Sequence, residues 1–159
     1  NISKKQTCKI TAVDGSASML AEFHKKLTIN KITNIKIIKS LIDKKLLVGE
    51  KFNIVITNSL IHHIRDIESF WQNLIRLTHD DGIICCMDLK RPINESALDK
   101  LIDTYGGNDL TLKKDFENSL RSSYSINEVK AQLHNIDKIS FAIKSVSDRH
   151  FFVSIRLKR

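Results

Sequence analysis

The chain has 159 residues, of which 42% are hydrophobic and 28% charged, and it carries a formal net charge of +8. This length and composition favour one folded domain with a buried core and exclude an intrinsically disordered chain. Three cysteines, two of them adjacent, exclude a disulfide framework, and no apolar run approaches the roughly 20 residues of a membrane span. Residues 1–9 are polar and lysine-bearing rather than apolar like the core of a signal peptide, so we expect a cytoplasmic protein without a membrane partner.

The positive charge points to anionic partners, among them nucleic acid. The lysines are spread along the chain and aromatic residues make up only 6% of it. A solvated basic surface therefore accounts for the charge more simply than a dedicated nucleic-acid interface does, and the latter stays open as an alternative.

The first half of the chain alternates short apolar runs with stretches of helical spacing. We predict strands over 8–13, 35–39, 52–58 and 83–88, of which the first is buried and the last, without polar alternation, is buried on both faces. Ser16 is placed to cap a helix that fades near Asn30, and Asp66 begins a second helix that ends at 79–82. A short helical crossover is allowed over 41–47.

The second half departs from this alternation after Pro92, the only proline. A helical insertion is predicted at about 94–124, interrupted at 106–107. Ser125 and Glu128 have the spacing of a capping box, which begins a helix that runs to about His134. Strands over 140–146 and 150–157 then form an antiparallel hairpin. The order predicts an α/β fold with a mostly parallel, doubly wound sheet, organised as a single domain over residues 1–159.

These landmarks, taken in order, resemble a known family. They are Ala12-Val13-Asp14-Gly15-Ser16 with Met19-Leu20, then Phe52-Asn53-Ile54-Val55 with Leu60-Ile61-His62-His63, then Asp80-Asp81-Gly82 before a strand. The chain resembles the class I, Rossmann-like methyltransferases that use S-adenosylmethionine. The resemblance implies a Rossmann-like sheet that ends in an antiparallel hairpin, and methyl transfer from that cofactor.

One part of the family pattern is missing. None of the five glycines forms a G-x-G-x-x-G turn between a strand and a helix, so the first strand and its glycine loop are not found in this sequence. A sheet without its middle strand would leave two unpaired edges. We therefore expect a preceding segment or a second chain to complete the sheet, an active enzyme at full length, and an inactive chain when these 159 residues stand alone.

The resemblance also implies a cofactor site at the carboxyl ends of the strands. Asp14 takes the place of the carboxylate that accepts hydrogen bonds from the ribose hydroxyls. The family commonly has an acidic residue near the adenine where Leu41 stands here. The cofactor candidates are Asp14, Gly15, Met19, Leu41, Ile42, Asp43, Asn58 and Ser59. Three alternatives stay open: a turn former at Asp14, a core residue at Met19 and a solvated helix start at Asp43.

The chemical candidates follow the third and fourth strands. His62 and His63 are candidate general bases, because imidazole accepts a proton near neutral pH; simple packing is the alternative. They lack the i, i+4 spacing of a helical zinc pair, so no metal is expected. Arg91, which follows Asp88, is a candidate fork for a substrate carboxylate or phosphate, because guanidinium offers paired donors in one plane. Asp88 is a candidate substrate-binding residue beside it, and Tyr124 in the insertion is a candidate lid residue.

The expected function is methyl transfer to a small-molecule acceptor. An RNA or protein methyltransferase that exploits the positive charge is one alternative. A methyltransferase-like interaction module or fragment without catalysis is another.

Overall fold

The computed structural model describes residues 8–158. Residues 1–7 and Arg159 lie outside the described residues. The prediction that no signal peptide is present was made on residues 1–9, and most of these are therefore outside the described part. The chain divides into two compact units, an N-terminal unit of residues 1–48 and a C-terminal unit of residues 49–159.

The N-terminal unit contains β1 (Ile10–Asp14), α1 (Ala17–Ile29) and β2 (Ile35–Lys39). The two strands pair in parallel, with Ile10 opposite Ile35 and Asp14 opposite Lys39. Ser16 caps α1 as predicted, because its side-chain oxygen accepts a hydrogen bond from the Met19 N–H at 3.3 Å. The parallel register brings the carboxyl ends of β1 and β2 side by side.

The prediction of a short helical crossover over 41–47 is wrong, because the chain forms turns there. The Asp43 carboxylate accepts hydrogen bonds from the N–H groups of Lys45 and Leu46 at 2.8 and 3.0 Å, which holds a tight turn. Leu47 has a φ of 50°, and this left-handed conformation stops any helical continuation.

The C-terminal unit is built on a four-stranded sheet in the order β3-β4-β6-β5. β3 and β4 are parallel, whereas β6 is antiparallel to both of its neighbours, so the predicted C-terminal hairpin is confirmed. The strands are β3 (Phe52–Asn58), β4 (Thr78–Leu89), β5 (Ile139–Ser145) and β6 (His150–Leu157). The helices are α2 (Ile67–Arg76), α3 (Glu95–Tyr105), α4 (Leu110–Ser122) and α5 (Ile126–His134), with a 3-10 turn at Ile61–His63. A mixed sheet with flanking helices confirms the predicted α/β class.

One face of this sheet is buried and the other is partly open. Ile84 and Cys86 of β4 are completely buried, whereas Met87 is 38% exposed. The prediction that this strand is buried on both faces is therefore wrong. On β3, Ile54 and Ile56 are 59% and 58% exposed. Within residues 8–158, β3 pairs with β4 along one edge and with no strand along the other.

Helices α3 and α4 form the predicted insertion and have a small core of their own. Its buried members are Leu89, Leu98, Leu101 and Leu120, and Phe116 packs against them. α5 begins at the predicted capping box, in which Ser125 and Glu128 each satisfy a backbone N–H of the other residue.

Candidate active site

A buried carboxylate organises the carboxyl ends of β3 and β4. Asp88, near the end of β4, is 1% exposed. Its Oδ2 accepts hydrogen bonds from the N–H groups of Leu60 and Ile61 at 2.7 and 2.6 Å. Its Oδ1 pairs with Nδ1 of His62 at 2.5 Å and accepts the Leu89 N–H at 2.8 Å. The carboxylate therefore fixes the 3-10 turn that follows β3.

The protonation of this pair follows from its hydrogen bonds. Burial raises the pKa of the Asp88 carboxyl, but the hydrogen bond and charge of His62 and the N–H groups of Ile61 and Leu89 outweigh it and hold the pKa below its ordinary value. An ionised carboxylate has acceptors only. The proton between the two side chains must therefore reside on Nδ1 of His62.

The two adjacent histidines have different surroundings. His62 is 8% exposed and its ring is engaged by Asp88, whereas His63 is exposed. Their ring centroids are 4.0 Å apart. Burial and the neighbouring His62 lower the pKa of His63, and the charge of Asp88 acts in the opposite direction. Of these two histidines, only His62 has a ring that is oriented by a hydrogen bond to a carboxylate.

A groove with a volume of about 780 Å³ opens beside the 3-10 turn. One wall comes from the turn and the residues after it, including His62, His63 and Arg65. The opposite wall comes from α4 and the residue that follows its end. Its lining residues are Asp115, Asn118, Ser119, Ser122 and Tyr124. Most of the residues that line the groove are polar, and they include charged groups of both signs, Arg65 and Asp115.

Two nitrogens of Arg91, the predicted fork for a substrate carboxylate or phosphate, donate to groups of the chain itself. Arg91 donates from Nε to the Ser123 carbonyl at 2.8 Å and from its terminal nitrogen to Glu128 at 2.9 Å. Asp88 has both oxygens occupied and buried, so it is a positioning residue here. Tyr124 lines the groove and donates its hydroxyl to the Ile64 carbonyl at 3.0 Å.

In the N-terminal unit, three of the predicted cofactor residues lie together. The Ser40 N–H donates to the Asp14 carbonyl at 3.1 Å, and a Cβ added to Gly15 would lie 2.9 Å from Leu41 Cδ2. The Asp14 Oδ1 accepts the Ser16 N–H at 2.7 Å, so this oxygen serves the turn. Within the described chain, no hydrogen bond reaches Asp14 Oδ2.

The other cofactor candidates are divided between the two units. Met19 and Leu41 are 61% and 73% exposed, and Ile42 is half-buried. Asp43 serves the turn described above. In the C-terminal unit, Asn58 ends β3 as an exposed residue, and Ser59 adopts a φ of 51° while its N–H donates to the Met87 carbonyl at 2.9 Å.

Sequence reasoning missed the α4 wall of the groove. Tyr124 is the one groove residue of the insertion that was predicted; elsewhere in α4, Phe116 packs in the insertion core and Arg121 pairs with Glu95 at 2.7 Å. The signal was nevertheless present in the sequence. Polar residues recur at positions 115, 118, 119 and 122, which is the spacing of one helical face.

A family model described as a methyltransferase domain matches residues 1–84, more than half of the chain. The chain belongs to this methyltransferase family. None of the curated proteins compared with it matches. No helix among the described residues of this methyltransferase domain is long and apolar enough to cross a membrane.

Solved structures of methyltransferases share its fold. The plantazolicin methyltransferase BamL, in complex with a triazolic desmethylPZN analogue and SAH, has a TM-score of 0.79 at 18% identity, over 99% of this chain and 71% of that one. An SAM-dependent methyltransferase from Aquifex aeolicus has a TM-score of 0.68 at 18% identity, over 92% and 68%. An SAH-bound methyltransferase from Podospora anserina has a TM-score of 0.64 at 12% identity, and the match covers 98% of this chain and 63% of that one. The class I methyltransferase fold is thereby confirmed.

Proposed function

We propose that this methyltransferase domain transfers a methyl group from S-adenosylmethionine to a small-molecule acceptor. Family membership supports the reaction type. Structural neighbours that were crystallised with SAH, the product of that cofactor, support the choice of methyl donor. The proposal of a small-molecule acceptor is supported by the groove of about 780 Å³, whose size suits a small molecule.

Cofactor binding is assigned first to Asp14. Its Oδ2 is left to accept hydrogen bonds from the ribose hydroxyls, while Oδ1 holds the turn. Gly15 and Leu41, which approach each other closely, and Met19 would then contact the nucleoside. Ile42, Asp43, Asn58 and Ser59 remain predictions for the same site.

Isothermal titration with S-adenosylhomocysteine tests the proposal. We expect binding by the natural full-length polypeptide and weakening by about 1 to 3 kcal/mol in Asp14→Ala, the cost of leaving hydrogen-bond partners unpaired. Asp137→Ala, at an exposed position on the C-terminal unit, is the matched control and should bind as the parent does. Absence of heat at high ligand concentration in the parent protein would remove the enzyme hypothesis and favour a non-catalytic module.

The same titration addresses one further prediction. We expect feeble binding by the 159-residue chain alone, because β1 pairs only with β2 within the described residues. A cytoplasmic location also stays a prediction, based on composition.

An RNA acceptor is the second candidate, and the charge distribution favours it. Residues 1–48 contain ten lysines and three acidic residues, a net charge of +7, whereas the remaining residues have sixteen basic and fifteen acidic residues, a net charge of +1. Retention of a single-stranded oligoribonucleotide that falls steeply with salt would support RNA as the acceptor. Retention too weak to measure at low salt would leave the small molecule.

A further inference from the structure

We propose that His62, held by Asp88, is the general base of the methyl-transfer site. The molecule that accepts the methyl group therefore carries a hydroxyl or an amine at the position that is methylated. This inference rests on the proposed function. It distinguishes two adjacent histidines that the sequence presents as equals.

The first step is the tautomer of His62. The carboxylate of Asp88 accepts from Nδ1, so in the neutral imidazole Nδ1 carries the ring proton and Nε2 has a free lone pair. No hydrogen bond within the described residues occupies Nε2. The imidazole is therefore held in the form that accepts a proton at its outer nitrogen.

The second step is access. His62 lines the groove together with residues of α4, although its side chain is only 4% exposed. Nδ1 faces Asp88 and Nε2 is on the other edge of the ring. We infer that Nε2 is the atom that His62 presents to the groove, from a position almost withdrawn from bulk water.

The third step is the chemistry. A lone pair on the acceptor's oxygen or nitrogen attacks the methyl carbon, the bond between carbon and sulfur breaks, and its electron pair returns to sulfur to give S-adenosylhomocysteine. The acceptor's proton passes to Nε2 of His62. The resulting imidazolium is stabilised by the adjacent Asp88 carboxylate, as in other carboxylate-oriented histidine bases.

Asp88→Asn provides a sharp test because its amide has one predictable orientation. Oδ2 accepts two backbone N–H groups, whereas Oδ1 accepts one N–H and pairs with His62. The amide oxygen should keep the position with two N–H donors, which turns the NH2 group toward His62. The NH2 group then donates to Nδ1 and drives the ring proton to Nε2.

Nitrogen NMR of the histidine rings reads this tautomer directly. In the parent chain we expect a proton on Nδ1 of His62 and a bare Nε2; in Asp88→Asn we expect the reverse. A parent chain with the proton on Nε2 would overturn the proposal. If Asp88→Asn does not fold, the measurements that follow decide without it.

Diethyl pyrocarbonate, which acylates unprotonated ring nitrogens, tests access through the groove. His62 should react at neutral pH, as located by mass spectrometry of the peptides. Ser119→Arg, which fills the groove, should slow this reaction at least tenfold, whereas the exposed His79 keeps its rate. Thr111→Arg, at an exposed α4 position that does not line the groove, is the matched control and should leave His62 unchanged. An unreactive His62, or one that Ser119→Arg does not protect, contradicts the proposal.

Phenol and anisole test the acceptor class, because they differ in a hydroxyl proton that anisole has replaced by methyl. Millimolar phenol should move the nitrogen signal of His62 Nε2, and anisole should not. Equal shifts, or none with phenol, would contradict the assignment of an acceptor that passes a proton to Nε2. Because calorimetry with S-adenosylhomocysteine reports the cofactor alone, failure of the proposed function is distinguishable from failure of this inference.

Discussion

The two units of the chain differ in how each is stabilised. In the C-terminal unit, the helix α2 and the strands β4 and β6 bury large side chains completely, including Trp71, Ile84 and Phe151. In the described part of the N-terminal unit, only Leu27 and Leu46 are buried apolar residues. The predicted catalytic and substrate-binding residues thus lie in a unit with a substantial hydrophobic core. Asp14 lies in a unit whose described part buries few apolar side chains.

The largest test of this difference is a deletion in the core of the C-terminal unit. Trp71 is completely buried and its indole N–H donates to Gln132 at 3.3 Å. Trp71→Ala should lower the free energy of unfolding by about 3 to 5 kcal/mol, the usual cost of emptying an aromatic site. Urea denaturation followed by circular dichroism measures it. Phe23→Ala, at a half-buried position of α1, is the counterpart in the N-terminal unit and should cost clearly less. Equal losses of stability in the two variants would contradict the difference between the cores of the two units.

A smaller effect, which depends on pH, is expected at the buried carboxylate. Because the pKa of Asp88 is lowered by folding, its stabilisation is complete above the ordinary carboxyl value of about 3.9 and is lost as pH falls through the lowered value of the folded state. Asp88→Asn should be less stable than the parent by about 1 to 3 kcal/mol at pH 7. The difference should shrink as pH falls below that ordinary value, because the parent carboxyl then becomes protonated. Urea denaturation at a series of pH values measures the stability difference between the two proteins and its change with pH. A difference that does not change with pH would exclude the Asp88 charge as its origin.

The smallest effects are expected at two helix caps, one in each unit. Ser125 forms a reciprocal capping box with Glu128, and Ser125→Ala should cost about 1 kcal/mol of stability. Ser16 caps α1 with a single longer hydrogen bond of 3.3 Å, so Ser16→Ala should cost less. Thermal unfolding of both variants ranks them. A larger loss at Ser16 would mean that α1 carries more of the fold than its burial suggests.

Much of the fold could be predicted because local signals agreed with the tertiary structure. The caps at Ser16, Asp66 and Ser125 begin helices where expected, and the short turn before His150 joins a hairpin. The segment after β2 failed because its apolar residues were taken for helix. A left-handed residue at Leu47 and an aspartate that caps a turn cannot be recognised from spacing alone.

The site was predicted only in part, for a related reason. The alternation along β4 places Asp88 on the same face as the buried Ile84 and Cys86, and this signal was available in the sequence. Its partners are residues 26 to 28 positions earlier, beyond any local pattern. Which of two adjacent histidines meets the carboxylate is therefore a property of the folded chain.

Within residues 8–158 one edge of β3 has no partner strand, and this open edge has a consequence for work in the laboratory. Its backbone donors and acceptors, flanked by the exposed Ile54 and Ile56, offer a template on which a second molecule can add a strand. Concentrated samples of the chain should therefore associate edge to edge, and a lysine at position 54 or 56 should keep them dispersed. Such a substitution is the first to try for crystallisation or for long NMR acquisitions.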